Sequence, residues 1–144
     1  MSNADRPDSS LQLLLDTHAL VWLDTNDEQL GSRCRTAADE ALEAGRLAVS
    51  AITFWEVAML ASKGRLEMQL PVSEWRDGLL AHGLRELPID GSIGVRTVEL
   101  TGLPGDPADR FIIATCEVHQ CTLATGDRRL LAWDSNLPRI NARH

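Results

Sequence analysis

Short apolar runs that stop abruptly at a polar residue alternate along this chain with longer segments of helical periodicity, and that alternation restricts the fold more than any other feature. Residues 11–15 (LQLLL) halt at Asp16, 47–51 (LAVSA) halt before Thr53, and 121–125 (CTLAT) halt at Gly126-Asp127. Runs of this length read as strands buried on both faces. A weaker strand is predicted over 84–89, which contains Pro88, and a last edge strand over 138–141. Residues 30–44 carry helically spaced apolar positions and end at Gly45, where a C-cap belongs. Further helices are predicted over 19–23, 53–62, 71–81, 92–100 and a short stretch through Trp133. Asp106-Pro107-Ala108-Asp109 has the form of a helix start, with Asp106 as N-cap and Pro107 at the first helical position, and this helix should run to about His119. Strands alternating with helices imply parallel βαβ units. The predicted architecture is a single three-layer α/β/α sandwich around a central parallel sheet, spanning 11–144.

Composition fits one self-sufficient domain. The chain has 144 residues, of which 44% are apolar and 24% charged, which excludes disordered and collagen-like classes. Lys plus Arg number 14 against 21 for Asp plus Glu, a net charge of −7. Such a balance argues against gripping nucleic acid by bulk electrostatics, so any polyanion must be met locally. The three cysteines, Cys34, Cys116 and Cys121, form no paired framework. No basic segment precedes an apolar signal core, so a reducing, cytoplasmic location is expected. The longest mostly apolar stretch, 47–61, is broken by Glu56 and is shorter than the roughly 20 residues a bilayer needs. Met1-Ser2-Asn3-Ala4 reads as a tag remnant, and 5–10 as a disordered N-terminus.

Four acids stand where strands end or helices begin. Asp16 closes the first strand and Asp127 follows the third; Glu56 and Asp109 fall in the first turns of predicted helices. In a parallel sheet the strand carboxyl ends and helix amino ends share one edge, where open α/β sheets place their ligands. Each acid also has a local alternative. Asp16, Asp109 and Asp127 all suit helix capping, whereas Glu56, set among Ile52, Phe54, Trp55, Val57, Met59 and Leu60, has no such use. Carboxylates gathered at one rim repel each other unless a cation lies between them, and an all-oxygen set suits Mg²⁺ or Mn²⁺. Cys116, His119 and Cys121 lack zinc-site spacing and read as core thiols and a surface histidine.

The segments LLLDTHALVWL (Leu13 to Leu23), SAITFWEVAML (Ser50 to Leu60), DPADRFIIATC (Asp106 to Cys116) and LATGDRRLL (Leu123 to Leu131) resemble the ordered motifs of PIN-domain proteins, in particular toxin ribonucleases of VapC type from bacterial toxin–antitoxin pairs. The resemblance covers nearly the whole chain after Ser10. It implies a PIN-like fold and a carboxylate pocket for Mg²⁺ or Mn²⁺, with catalytic and metal-holding roles for Asp16, Glu56, Asp109 and Asp127. Asp106 belongs to the matched run as N-cap or as a ligand through water. Ser50, Thr53 and Thr125 occupy polar positions beside the acids and are candidates for orienting water or ligands, or for bonding backbone.

The implied activity is metal-dependent endoribonuclease cleavage of RNA phosphodiesters, leaving a 5′ phosphate and a 3′ hydroxyl. Arg110, Arg128 and Arg129 flank the later acids as candidate phosphate contacts, extended by Arg33, Arg35, Lys63 and Arg65. Trp22, Trp55 and Trp75 can stack on single-stranded bases or pack in the core. His18 is read as structural. The resemblance further implies a homodimer silenced by a cognate antitoxin protein. Two alternatives stay open: an Mg²⁺-dependent aspartyl phosphatase with Asp16 as nucleophile, and a non-catalytic RNA- or protein-binding module.

Overall fold

The computed structural model describes residues 11–103 and 105–144; the predicted tag remnant and disordered N-terminus lie outside the described residues. In chain order the elements are β1 (Leu13–Leu15), α1 (Thr17–Asp24), α2 (Ser32–Glu43), β2 (Leu47–Ser50), α3 (Ile52–Ser62), α4 (Val72–Ala81), β3 (Arg85–Leu87), α5 (Gly91–Glu99), α6 (Pro107–Val118), β4 (Thr122–Thr125), α7 (Arg128–Ala132) and β5 (Arg139–Asn141). Among the described residues the strands form one sheet, ordered β3-β2-β1-β4-β5 and parallel throughout. Parallel pairing puts every strand's carboxyl end on one edge. β1, β2 and β4 are wholly buried, as their uninterrupted apolar runs require.

Side chains alternate between the two faces of the sheet. Leu13, Leu15, Leu47, Val49 and Ala124 enter one core, which is filled by Leu20 and Trp22 of α1, Ala38 and Ala41 of α2, Phe54 and Val57 of α3, and Trp75 of α4. Leu14, Ala48 and Leu123 enter the other, against Ile93 of α5, Ile112 and Ile113 of α6, and Leu130 of α7. The result is the expected three-layer sandwich.

Boundaries differ where local hydrogen bonding overrides apolar pattern. α1 begins at Thr17, two residues earlier than predicted, because the Asp16 carboxylate accepts the Ala19 N–H at 2.8 Å and caps it directly. β3 ends at Leu87 because Pro88 has no N–H to continue the ladder. α6 starts at Pro107 behind an Asp106 cap, as predicted. Among the described residues, no helix is long and apolar enough to cross a membrane.

Candidate active site

The carboxyl edge of the sheet opens into a cleft of about 700 Å³, and all four predicted acids line it: Asp16 after β1, Glu56 on α3, Asp109 on α6 and Asp127 after β4. Asp106, at the head of α6, joins them.

Asp16 is only 6% exposed. Its Oδ1 accepts the Ala19 N–H at 2.8 Å and its Oδ2 accepts the Thr125 hydroxyl at 2.6 Å. Burial pushes its pKa above the usual carboxylate range and the nearby Glu56 adds to that, against the opposing hydrogen bonds from Thr125 and Ala19 and the proximity of His18. Capping and site membership are therefore one arrangement, since the cap fixes the carboxylate at the cleft floor.

Glu56 departs in detail from expectation. α3 starts at Ile52, so Glu56 begins the second helical turn rather than lying in the first. Phe54 and Val57 are buried, whereas Glu56 is half-buried at the cleft, because each residue advances about 100° around the helix axis. Its apolar neighbours in sequence mostly point elsewhere. Among the described residues it has no hydrogen-bond or ion-pair partner.

Asp109 carries the plainest electrostatic signature. Burial, then the charges of Asp106, Asp127, Glu56 and Asp16, push its pKa up to about 7. Three acids distant in sequence, and Asp106 one helical turn away, thus act on one carboxyl group. Asp127 goes the other way: burial raises its pKa, but the side-chain and backbone hydrogen bonds from Arg129 and that residue's charge outweigh it, and the net shift is downward. Arg129 Nη2 lies 3.2 Å from Asp127 Oδ2, and the Arg129 N–H donates to Oδ1 at 2.8 Å.

Hard oxygen donors alone, mutually repelling and held in one cleft, match the donor chemistry of Mg²⁺ or Mn²⁺. Among the described residues no three His, Cys, Asp or Glu side chains already converge as a chelating group. Asp127 is paired with Arg129, and Asp16 is held by its two donors.

The remaining predicted residues divide sharply. Thr125 bridges two acids, donating to Asp16 while its oxygen accepts the Asp127 N–H at 3.1 Å. Thr53 is buried 3.2 Å from the Thr17 hydroxyl, and Ser50 is buried where it accepts the Thr115 hydroxyl at 3.0 Å; neither lines the cleft. Arg128 and Arg129 line it. Arg110 does not: its guanidinium donates to the carbonyls of Thr97 at 3.0 Å and Leu100 at 2.6 Å, bracing the chain between α5 and α6. In this structure its donors meet backbone carbonyls and are not directed into the cleft. Arg33, Arg35, Lys63 and Arg65 also lie outside the cleft lining.

Of the tryptophans, Trp22 lines the cleft from within the core, Trp55 is exposed, and Trp75 packs edge-on to Phe54 with its N–H on Asp24. His18 is exposed at the cleft. Cys116 and Cys121 are buried free thiols. Sequence reasoning missed Gln29 and Arg143, which also line the cleft; Gln29 follows Asp27 and Glu28 in a loop, whereas Arg143 stands two residues past the predicted strand over 138–141, a carboxyl-edge position that could have marked it.

Comparison with known proteins agrees with this geometry. Residues 13–134 match the family model described as PIN domain. Ribonuclease VapC22 of Mycobacterium tuberculosis is 40% identical over 120 residues, covering 82% of this chain and 88% of that protein. A toxin–antitoxin complex from Klebsiella pneumoniae contains a chain with TM-score 0.58 and 25% identity, covering 91% of this chain and 98% of that one. DNA-bound VapBC from Salmonella typhimurium matches with TM-score 0.66 at 18% identity, covering 93% and 99%, a likeness of fold.

Proposed function

Because this chain belongs to the PIN-domain family, we propose that it is a Mg²⁺- or Mn²⁺-dependent endoribonuclease, the toxin of a VapC-type toxin–antitoxin pair. The observation that carries this reading is the meeting of Asp16, Glu56, Asp109 and Asp127 in one cleft, felt at Asp109 as a pKa of about 7.

Those four carboxylates are the residues that would hold the ion, which when bound polarises a phosphoryl oxygen and acidifies a bound water. Asp16 acts as a fixed anchor, because its capping bond and the Thr125 hydroxyl leave it one orientation. Thr125 also ties the Asp127 backbone to the same point, so the ends of β1 and β4 stay in register. Asp109 is the acid whose charge its surroundings most disfavour in the metal-free protein, so a bound cation would relieve the most repulsion there. Arg128 and Arg129 meet phosphate at the mouth, where Arg129 exchanges Asp127 for substrate.

An RNA substrate, a cognate antitoxin that covers the cleft, a homodimer and a cytoplasmic location complete the proposal; the similarity to chains of solved toxin–antitoxin complexes supports the antitoxin partner. The aspartyl-phosphatase alternative fits poorly, because that chemistry calls for a second acid close after the nucleophile, and here Thr17 and His18 follow Asp16. Incubating a mixed RNA pool with Mg²⁺ or Mn²⁺ and mapping the ends tests the proposal. Wild type should give 5′ phosphates and 3′ hydroxyls, and Asp16→Asn should not cut. Equal cutting by Asp16→Asn would leave the non-catalytic-module reading or an unrelated nuclease.

A further inference from the structure

An acidic cleft that receives a polyanion needs a fixed cation of its own, and Arg143 has the geometry for it. The backbone on both sides of this residue is pinned. The Ala142 N–H donates to Thr125 O at 2.9 Å, the Gly31 N–H to Ala142 O at 2.9 Å, the Arg33 N–H to His144 O at 2.8 Å, and the Arg143 N–H to Asn141 Oδ1 at 2.9 Å. The side chain is pinned as well. Its guanidinium carbon lies 4.8 Å over the centre of the Trp22 ring, and its Nε donates to Gly126 O at 3.2 Å. A Cβ on Gly126 would come within 3.0 Å of Arg143 Nε and 3.1 Å of the Trp22 ring, so the stacked pair lies tight against the Gly126 backbone.

What the side chain lacks is an acid. Among the described residues Arg143 forms no salt bridge and its two Nη atoms have no hydrogen-bond partner, although the cleft it lines holds five carboxylates. Arg129, by contrast, is paired with Asp127. A planar cation stacked on an indole, with its terminal nitrogens uncommitted, is preorganised for a phosphate and loses little rotamer entropy on binding one.

We propose that Arg143 is a substrate-positioning residue that binds a phosphate flanking the scissile one in single-stranded RNA. The proposal rests on the ribonuclease reading for its substrate class.

Its test pairs RNA binding with cleavage. The probe for binding is a fluorescent twelve-nucleotide single-stranded RNA, titrated by anisotropy over a range of salt, with thermal melting of each variant as the folding control. Arg143→Ala should weaken binding about tenfold and reduce the magnitude of the log K against log salt slope by about 0.7, the value for one lost contact to a single strand. Arg143→Lys should keep the slope and recover part of the affinity, because it retains the charge but not the stacked fork. In cleavage, Arg143→Ala should raise KM more than it lowers kcat.

Unchanged affinity and slope in Arg143→Ala overturn the proposal, as does a wild type that binds no RNA. A wild type that binds RNA through Arg143 but cuts none keeps Arg143 as an RNA phosphate contact while the ribonuclease reading, and with it the position beside a scissile phosphate, falls; active cleavage with an indifferent Arg143→Ala overturns the Arg143 proposal and keeps the ribonuclease reading.

Discussion

The Thr125 hydroxyl donates to Asp16 Oδ2 across 2.6 Å, joining residues 109 positions apart in the chain. The same oxygen accepts the Asp127 N–H at 3.1 Å. One buried hydroxyl thus sets the spacing of two acids that no local pattern links. Thr125→Val keeps the shape and removes the bond, leaving a buried carboxylate oxygen short of a donor. We expect a loss of about 1–3 kcal/mol in urea unfolding and weaker Mn²⁺ uptake by calorimetry, with Thr125→Ser restoring most of both. A Thr125→Val protein with the wild-type urea midpoint refutes this account of Asp16.

Asp109 makes the metal-free protein pH-sensitive with a definite sign. Its folded pKa of about 7 lies above the ordinary 3.8, so the folded state holds the proton more tightly. The associated stability is fully present below pH 3.8, shrinks between there and pH 7, and is lost above it. With discounting for its partial exposure, the loss is about 1–2 kcal/mol. Asp109→Asn removes this titration. The stability difference between Asp109→Asn and wild type, measured by denaturant in chelator from pH 5 to pH 8, should therefore grow in the mutant's favour as pH rises; a difference independent of pH contradicts it.

Divalent cation should relieve the same repulsion. Mn²⁺ at about a hundred times its Kd should stabilise wild type by about 2.7 kcal/mol, and chelator should reverse the gain. Because Asp109 gives up its proton on binding, calorimetry near pH 7 in buffers of different ionisation enthalpy should register proton release. Asp16→Asn should show a blunted thermal shift, and an equal shift in that variant would place the ion elsewhere.

Arg110 and Arg128 look alike in sequence and should behave differently on mutation. Arg110→Ala strips donors from the Thr97 and Leu100 carbonyls and should cost about 1–3 kcal/mol in stability. Arg128→Ala, at an exposed position on the cleft, should stay within about 0.5 kcal/mol of wild type while weakening RNA binding. Equal melting temperatures for the two variants would show that the Arg110 brace carries no weight.

Much of the fold was legible because its strands are buried on both faces: LLL, LAVS and TLAT carry continuous apolar or small residues that no exposed strand needs. The four acids were legible because each stands at a strand end or near a helix start, and parallel pairing sends all such positions to one edge. The arginines were not. Arg110, Arg128 and Arg143 have the same charge and reach in sequence, yet the loop between α5 and α6 claims the first and the cleft receives the other two.

Local patterning along the chain therefore determined the order of elements, the layers and the edge at which the acids gather, since period, burial and capping are properties of near neighbours. Tertiary structure alone decided which oxygen of Asp16 meets Thr125, which carboxyl group feels the charge of all the others, and which arginine stacks on Trp22 at the cleft. Those outcomes depend on distances between residues far apart in the chain, and such distances exist only after the sheet and its two helical layers have packed.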